Sequence, residues 1–392
     1  MGLFHGAANL GFVIGPILAG FVVQKTMNIS PAFLALGVVG LAASIPLGSR
    51  LLKDYLRLPD RAFNIATIGA VFVLLSVIPV VFFGPLGAKP KEAFRYADLA
   101  MGTIIRLTLI APNEKIADEA ADKALATIHD LEQDFGHRTP GGSVGRINLA
   151  AGTAPVKVTN QAYRLIERSL GFSEKAKGVF DITIGAVTVT PNYFRGNTSQ
   201  EKKELVDYRL VELDPDRQTV FLPKKGMAID LGGLAKGTII DLASIGLRND
   251  GIEAGIVEGG GDFFCFGDKT WKIGIQHPRS SGLLGVIPVK NRGVCGSGDY
   301  YQYVIEEDHG RQERKHHILN PEKLRSAEKS ISVTVLAPNT ELADALATTL
   351  FIMGPEMGVK FLGKEFPNAA ALWVLPDLKI FKTENFPEFL DP

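Results

Sequence analysis

An α+β fold with helices laid against largely antiparallel strands is predicted for residues 89–392, preceded over residues 1–88 by about three transmembrane helices. Three observations carry this reading. Segments 6–24, 26–49 and 62–88 contain no Asp, Glu, Lys or Arg, and each is long enough to cross a bilayer core, which takes about 20 apolar residues. From about residue 96 the pattern changes: short β-branched runs alternate with amphipathic stretches at helical spacing. No internal repeat or low-complexity tract interrupts this second region, so it reads as one layered unit.

The anchor comes first. "GAANLGFVIGPILAGFVVQ" is glycine-rich, which suits close helix packing in a membrane. A signal peptide is the competing reading, but there is no basic leader and two more apolar spans follow. The third span, "AFNIATIGAVFVLLSVIPVVFFGPLGA", is the most apolar. Between the second and third, "RLLKDYLRLPDR" carries Arg50, Lys53, Arg57 and Arg61, which marks that connection as cytoplasmic. Residues beyond 88 are then delivered to the periplasmic or extracytoplasmic side of the inner (plasma) membrane, although Lys89, Lys91 and Arg95 reduce the charge bias. The stretch "GLFHGAANLGFVIGPILAGFVV" resembles a glycine-proline helix of the major facilitator transporters. Three helices cannot build the paired repeats that alternating access needs, so the segment reads as an anchor, a remnant of a fusion or of a longer chain.

The soluble elements follow in order. "GTIIRLTLIAP" alternates and is predicted as a strand, and "NEKIADEAADKALATIHDLEQDF" as an amphipathic helix. "HRTPGGSVGRIN" reads as a loop from its Pro and Gly content. "NQAYRLIERSLGFSEKAKG" is a second helix ended by Gly178, and "GVFDITIG" places Asp181 at the entrance to a strand. Strands with glycine turns are expected through "GIEAGIVEGGGDFFCFG" and "WKIGIQHP", then at "GVIPVK", "YQYVIEE" and "SISVTVLAP". A helix, "TELADALATTLFIMG", comes last.

Lys plus Arg (42) balance Asp plus Glu (42), so no net field draws the protein to nucleic acid. Cys265 and Cys295 have no partners at metal-ligand spacing, and a single disulfide between them is open. Chemistry concentrates in four clusters: "GVFDITIG", "IDLGGLAKG", "GSGDYYQY" and "ELADALATTL", the last preceded by "KHHILNP". The glycines of "IDLGGLAKG" fit neither the dinucleotide fingerprint nor a Walker loop, and a tightly packed helix entrance is its plain structural reading. Asp344 and Thr348 are four apart on a helix and share a face. A carboxylate and a hydroxyl together suit a hard cation such as Mg²⁺; a polar stripe on a solvated face is the competing reading. The helix is otherwise apolar, so Asp344 is expected to face protein and to need a cationic partner or a metal. His317, the second of two adjacent histidines, is read either as structural or as a general base.

In this order, "MGT" (101–103), "VGRIN", "GVFDITIG", "IDLGGLAKG", "EGGGDF", "WKIGIQHP", "SGDY", "HHILNP", "SVTVLAP" and "ADALATTLFIMG" resemble the FAD:protein FMN transferase (ApbE-like) family over about residues 100–380. The resemblance implies a T-fold-related domain with the flavin held in a cleft between two lobes. It implies an enzyme that cleaves the FAD pyrophosphate, joins FMN to a Ser or Thr of a target flavoprotein and releases AMP, with Mg²⁺ as cofactor. By the same resemblance Met101, Val179, Phe180, Asp181, Asp230, Lys236 and Ser297 contact FAD. The backbone oxygen of Gly233 and the side chains of Asp344 and Thr348 ligate the metal, and His317 or a carboxylate such as Asp230 serves as base. A subunit of a membrane redox pump is the acceptor the family suggests.

This sequence departs from the family at several points. Gly296 replaces a threonine before Ser297, "NPEKLRS" replaces the family's Asp-Pro-Arg-Thr-Gly turn, and "AVTVTPNYF" replaces a Leu-Trp-Gly pattern. The loop that in the family offers an aromatic to the flavin reads "FGHRTPGG". Hydrolysis of FAD to FMN and AMP would use the same residues. A membrane-anchored FAD-binding protein without turnover is the other alternative, against which Asp230, Lys236, Asp344 and Thr348 argue, since a simple binder needs no metal pair.

Overall fold

The computed structural model describes residues 92–190, 193, 200–308 and 311–390. The three charge-free segments, the transporter-like stretch and the membrane orientation drawn from them lie outside the described residues. The chain separates into Met1–Pro90 and Lys91–Pro392, and the second unit is the one described below.

β1 (Glu92–Ala100) and β2 (Thr103–Ala111) pair antiparallel from Glu92↔Ala111 to Ala100↔Thr103. Their turn is Met101-Gly102, with φ of 54° and 68°. Two positive φ values match the twist of the flanking strands, and Met101 rather than a second glycine occupies one of them. Along β2, Ile105, Leu107, Leu109 and Ala111 are buried at alternate positions, the period of a strand with one face on the core.

α1 (Glu114–Phe135) is capped by Asn113, whose side chain accepts from Ile116 N at 3.0 Å. Its buried stripe, Ala117, Ala120, Ala121, Ala124, Ile128, Leu131 and Phe135, begins with alanines that allow close approach. α2 (Ser143–Leu149) is a short helix inside the stretch expected to be a loop, where its seven residues follow the Pro140-Gly141-Gly142 turn. β3 (Val156–Lys157), β4 (Glu212–Asp214) and β5 (Thr219–Phe221) form a small sheet in the order β3-β5-β4. Between β3 and β4 runs α3 (Asn160–Lys175), capped by Thr159. Asp181 does not open a strand: its side chain accepts from Thr183 N at 2.8 Å and caps the 3₁₀ turn Ile182–Ile184. The β-branched "DITI" pattern misled here because a local Asx bond competes with strand pairing.

α4 (Ala235–Asn249) begins inside "IDLGGLAKG". The strands β6 (Ala254–Gly259), β7 (Asp262–Phe266), β8 (Trp271–Gln276), β9 (Leu283–Val289) and β10 (Arg292–Gly298) follow. Next come the hairpin β11 (Tyr303–Asp308) and β12 (Arg311–His316), and the short pair β13 (Leu319–Asn320) and β14 (Arg325–Ser326). β15 (Ser332–Ala337), α5 (Thr340–Glu365), β16 (Ala370–Val374) and β17 (Ile380–Lys382) end the described chain.

The main sheet has eight strands in the order β1-β2-β6-β7-β10-β15-β16-β17, and every neighbouring pair is antiparallel. β15 and β16 are buried at every position because both of their faces are covered. On β16, Ala371 and Trp373 enter the core beneath the helices, while Ala370, Leu372 and Val374 meet the β8–β9 hairpin with Trp271, Ile273 and Ile287. Cys265 and Cys295 are both buried and free, so no disulfide joins them.

α4 and α5 are locked end to side. A Cβ at Gly237 would lie 2.4 Å from the Thr340 carbonyl oxygen, a distance only glycine permits. Asp241 on α4 accepts from Thr340 N and Glu341 N at 2.9 and 2.8 Å, satisfying orphan donors of the first turn of α5. α5 breaks at Gly354 (φ 71°) before Pro355. Among the described residues it is the helix long and apolar enough to span a membrane, but 61% of its apolar window is buried, which marks a core helix.

Candidate functional site

One cleft of about 990 Å³ is lined by every residue singled out from the sequence: Met101, Val179, Phe180, Asp181, Asp230, Gly233, Lys236, Ser297, His317, Asp344 and Thr348. These residues are scattered over nearly the whole described chain, and the helix and sheet geometry brings them together.

At one pole lies a charge cluster. The Lys236 ammonium bonds directly to Asp262 and stands 3.9 Å from Asp344 Oδ1. Asp344 Oδ2 accepts from Gly237 N at 3.0 Å, and Asp262 Oδ1 accepts from Gly296 N at 3.2 Å. Both carboxylates are buried, with relative exposures of 1% for Asp262 and 4% for Asp344. Burial holds the Asp344 carboxyl well above the usual carboxylate range, Lys236 pulling it down and Asp262 pushing it further up. Burial alone would lower the Lys236 pKa, but the two acids outweigh it and leave the ammonium firmly charged. One cation facing two buried acids leaves a deficit of positive charge. The Thr348 hydroxyl lies 3.5 Å from Ser297 Oγ, and a Cβ at Gly233 would lie 3.6 Å from Thr348 Oγ1. Among the described residues no group of three or more His, Cys, Asp or Glu is arranged to hold a metal ion by itself. The oxygens gathered here are those of the two carboxylates and of the Ser297 and Thr348 hydroxyls. That set fits a hard divalent cation whose shell is completed by water and ligand oxygens, and the charge deficit fits it too.

The second pole is built on Asp230. Its carboxylate accepts from Thr188 Oγ1 at 2.6 Å and from Gly232 N at 2.9 Å, and lies 3.6 Å from His137 Nδ1. Burial opposes ionisation, yet the His137 and Thr188 interactions outweigh it and depress the pKa. His137 Nε2 is buried without a hydrogen-bond partner. A buried, unsatisfied ring nitrogen on a cleft wall is the kind of group a ligand satisfies.

Asp181 also lines the cleft, but its carboxylate is committed to the chain itself, through Thr183 N and through Tyr208 N at 3.0 Å. Its contribution there is to fix the turn that carries Phe180. Met101 is held by its backbone N–H, which donates to Glu132 Oε1 at 2.7 Å.

The two histidines differ in role. His316 is buried, its Nε2 bonding the Ala327 carbonyl at 2.8 Å while Ile318 N donates to Nδ1 at 3.3 Å. Both bonds together require the neutral ring, and burial lowers its pKa. His317 lines the cleft, and burial pulls its pKa from 6.5 down to about 4. A depressed imidazole pKa stabilises the fold above its unfolded value and withdraws that stability in acid. The melting temperature is therefore expected to fall as pH drops from 6.5 towards 4. His317→Gln is expected to flatten part of that slope in a thermal-melt series; an unchanged slope would place the acid sensitivity elsewhere.

Three site residues were not singled out from sequence. Asp262 closes the β6–β7 hairpin opposite Gly259, across Gly260 and Gly261, whose φ values are 63° and 91°. An acid placed just after such a turn and just before the apolar run "FFCF" was the available signal. His137 was hidden in a stretch read as loop, and Thr188 lies in "AVTVTPNYF", noted only as a departure from the family pattern.

Fold and cleft together define an α+β protein whose central antiparallel sheet carries a charged, oxygen-rich ligand site at the start of two helices. The chain belongs to the ApbE family, whose model matches residues 101–373. It is 30% identical over 321 residues to the FAD:protein FMN transferase of Treponema pallidum, covering 75% of this chain and 87% of that protein. It is also 30% identical over 283 residues to a Klebsiella pneumoniae protein of the same name, covering 68% and 85%. Among solved structures, the ApbE protein of Thermotoga maritima superposes with a TM-score of 0.68 at 31% identity, covering 75% of this chain and 98% of that one. The flavin transferase ApbE of Vibrio cholerae shares the fold, with a TM-score of 0.66 at 22% identity, 77% of this chain and all of that one being covered.

Proposed function

We propose that this chain transfers FMN from FAD to a Ser or Thr of a protein acceptor and releases AMP. Family membership supports the activity. The observation that carries it at the level of residues is the single cleft that holds the Lys236–Asp262–Asp344 cluster beside the Asp230 pole.

The reaction has simple bookkeeping. The acceptor oxygen attacks the phosphorus of the FMN half, the bond from that phosphorus to the bridging oxygen breaks, and AMP leaves with the bridging oxygen. The acceptor proton must go to a base. We assign that role to His317, kept neutral by burial, or to ionised Asp230, both of which line the cleft. Lys236 would offset pyrophosphate charge, and Gly232 and Gly233, which line the cleft without side chains, would let the phosphates approach the backbone. Asp344, Thr348 and the Gly233 carbonyl would hold Mg²⁺, which when bound would neutralise charge on the phosphoryl oxygens.

Membrane anchoring through residues 1–88, with the catalytic unit on the extracytoplasmic side, belongs to the same proposal. It is supported by the three charge-free segments and the basic connection between the second and third. A target flavoprotein at that membrane would then be the acceptor.

The deciding assay incubates the full chain with FAD, Mg²⁺ and a flavoprotein domain bearing the family's acceptor threonine motif. Labelled acceptor with AMP released in equal amount is the expected result. FMN and AMP without labelling, where a control relative labels the same domain, would make the protein an FAD pyrophosphatase. FAD bound but uncleaved would leave a binding protein.

A further inference from the structure

The hairpin β11–β12 forms a two-stranded sheet of its own and does not join the main sheet. Both of its ends are rooted in the cleft. Tyr300, Tyr301 and Gln302, just before β11, line the cleft, as does His317, just after β12. His317 N donates to the Gln302 carbonyl at 3.2 Å, and Tyr303 pairs with His316, so the hairpin rises directly from the cleft mouth.

Its outward side chains are unusual for a solvated ribbon. Tyr301, Tyr303 and Ile305 fall at alternate positions and are 57%, 40% and 54% exposed. None of the three belongs to any hydrophobic cluster of the fold. Within β11 the alternate residues Val304 and Glu306 are less exposed, Glu306 pairing with Lys315 at 2.6 Å, while Gln302 before the strand is exposed at the cleft mouth. The stripe is also held in place: the Arg314 guanidinium lies 3.8 Å from the Tyr303 ring centre. Tyr301 OH donates to Gln276 Oε1 at 2.9 Å, and its ring lies 4.6 Å from that of Tyr300. Fixed tyrosines flanked by an arginine are the composition of a protein-binding surface.

We propose that the Tyr301–Tyr303–Ile305 stripe is the docking surface for the protein acceptor, which lies over it as an extended segment with apolar residues beside its acceptor Ser or Thr. The proposal rests on the transferase reading above. FAD occupies the cleft and has no use for apolar side chains on a hairpin beyond its mouth, whereas a macromolecular acceptor must cross that mouth to deliver a hydroxyl. Continuity of the stripe with the cleft therefore selects the acceptor as occupant. An anionic lipid surface is disfavoured by Glu307, which is exposed at the next alternate position of the same strand.

The test compares the full chain with its Tyr303→Ser/Ile305→Ser variant, using the acceptor domain of the assay above. KM for the acceptor is expected to rise about tenfold or more, the loss of a binding hot spot, with kcat and the FAD dissociation constant, read by flavin fluorescence, unchanged. Tyr303→Phe/Ile305→Val is expected to restore the wild-type KM. An unchanged acceptor KM in the serine variant overturns the proposal, and so does a parallel loss of FAD affinity. Failure of the wild-type chain to label the acceptor would fell the transferase reading itself, a result visible without any variant.

Discussion

Asp344→Ala is expected to stop acceptor labelling and AMP release together, by about 10²–10³-fold or more, the loss seen when one group that stabilises developing charge is removed. The fold is expected to survive. Wild-type Lys236 faces two buried acids, and without Asp344 it faces Asp262 alone, a balanced pair. What the variant loses structurally is one hydrogen bond, from Gly237 N at 3.0 Å. A melting temperature close to wild type, with labelling abolished, is the signature of a group that serves the chemistry. The metal assignment has its own readout: Mg²⁺ is expected to raise the melting temperature of the wild-type chain and to do so much less for the variant. A variant that still labels the acceptor at a comparable rate would remove Asp344 from the site.

The same residue shows what was legible in the sequence. Asp344 stood out because a lone acid on an apolar helix needs a partner, and the i,i+4 relation to Thr348 is fixed by helix geometry. Its partner was not legible in that way. Asp262 and Lys236 meet Asp344 only through the order β6-β7-β10-β15 and the contact of α4 with α5, a long-range arrangement no local pattern encodes. Strands with a single buried face, such as β2, announced themselves by alternation. Asp181 failed for the opposite reason: its β-branched neighbours suggest a strand, while a side-chain bond to Thr183 N turns the backbone locally. His137 could not be read at all, since a histidine in a Gly-Pro loop carries no periodicity, and its meeting with Asp230 spans the small sheet and α3.

Lys236→Met is the variant expected to damage stability most. It leaves Asp262 and Asp344 buried side by side with no cation, and breaking a buried pair in this way costs about 3–5 kcal/mol. The effect has a pH sign. Burial already raises the Asp344 pKa, and removal of the neighbouring ammonium raises it further, so the protonated form is the one the variant tolerates. An acid whose folded pKa is raised contributes stability at low pH that is lost as pH rises through the folded value. The gap in melting temperature between wild type and Lys236→Met is therefore expected to widen from mildly acidic to alkaline pH, and a divalent cation is expected to narrow it. Lys236→Arg separates charge from shape. It restores a positive charge and with it much of the stability, but a planar guanidinium cannot take the place of a point-charge ammonium set between two acids. Transfer is expected to stay low in that variant, measured by acceptor labelling. A gap in melting temperature that does not change with pH would show that the two carboxylates are not the origin of the loss. The Lys236 side chain would then matter through its packing between α4 and β7 instead.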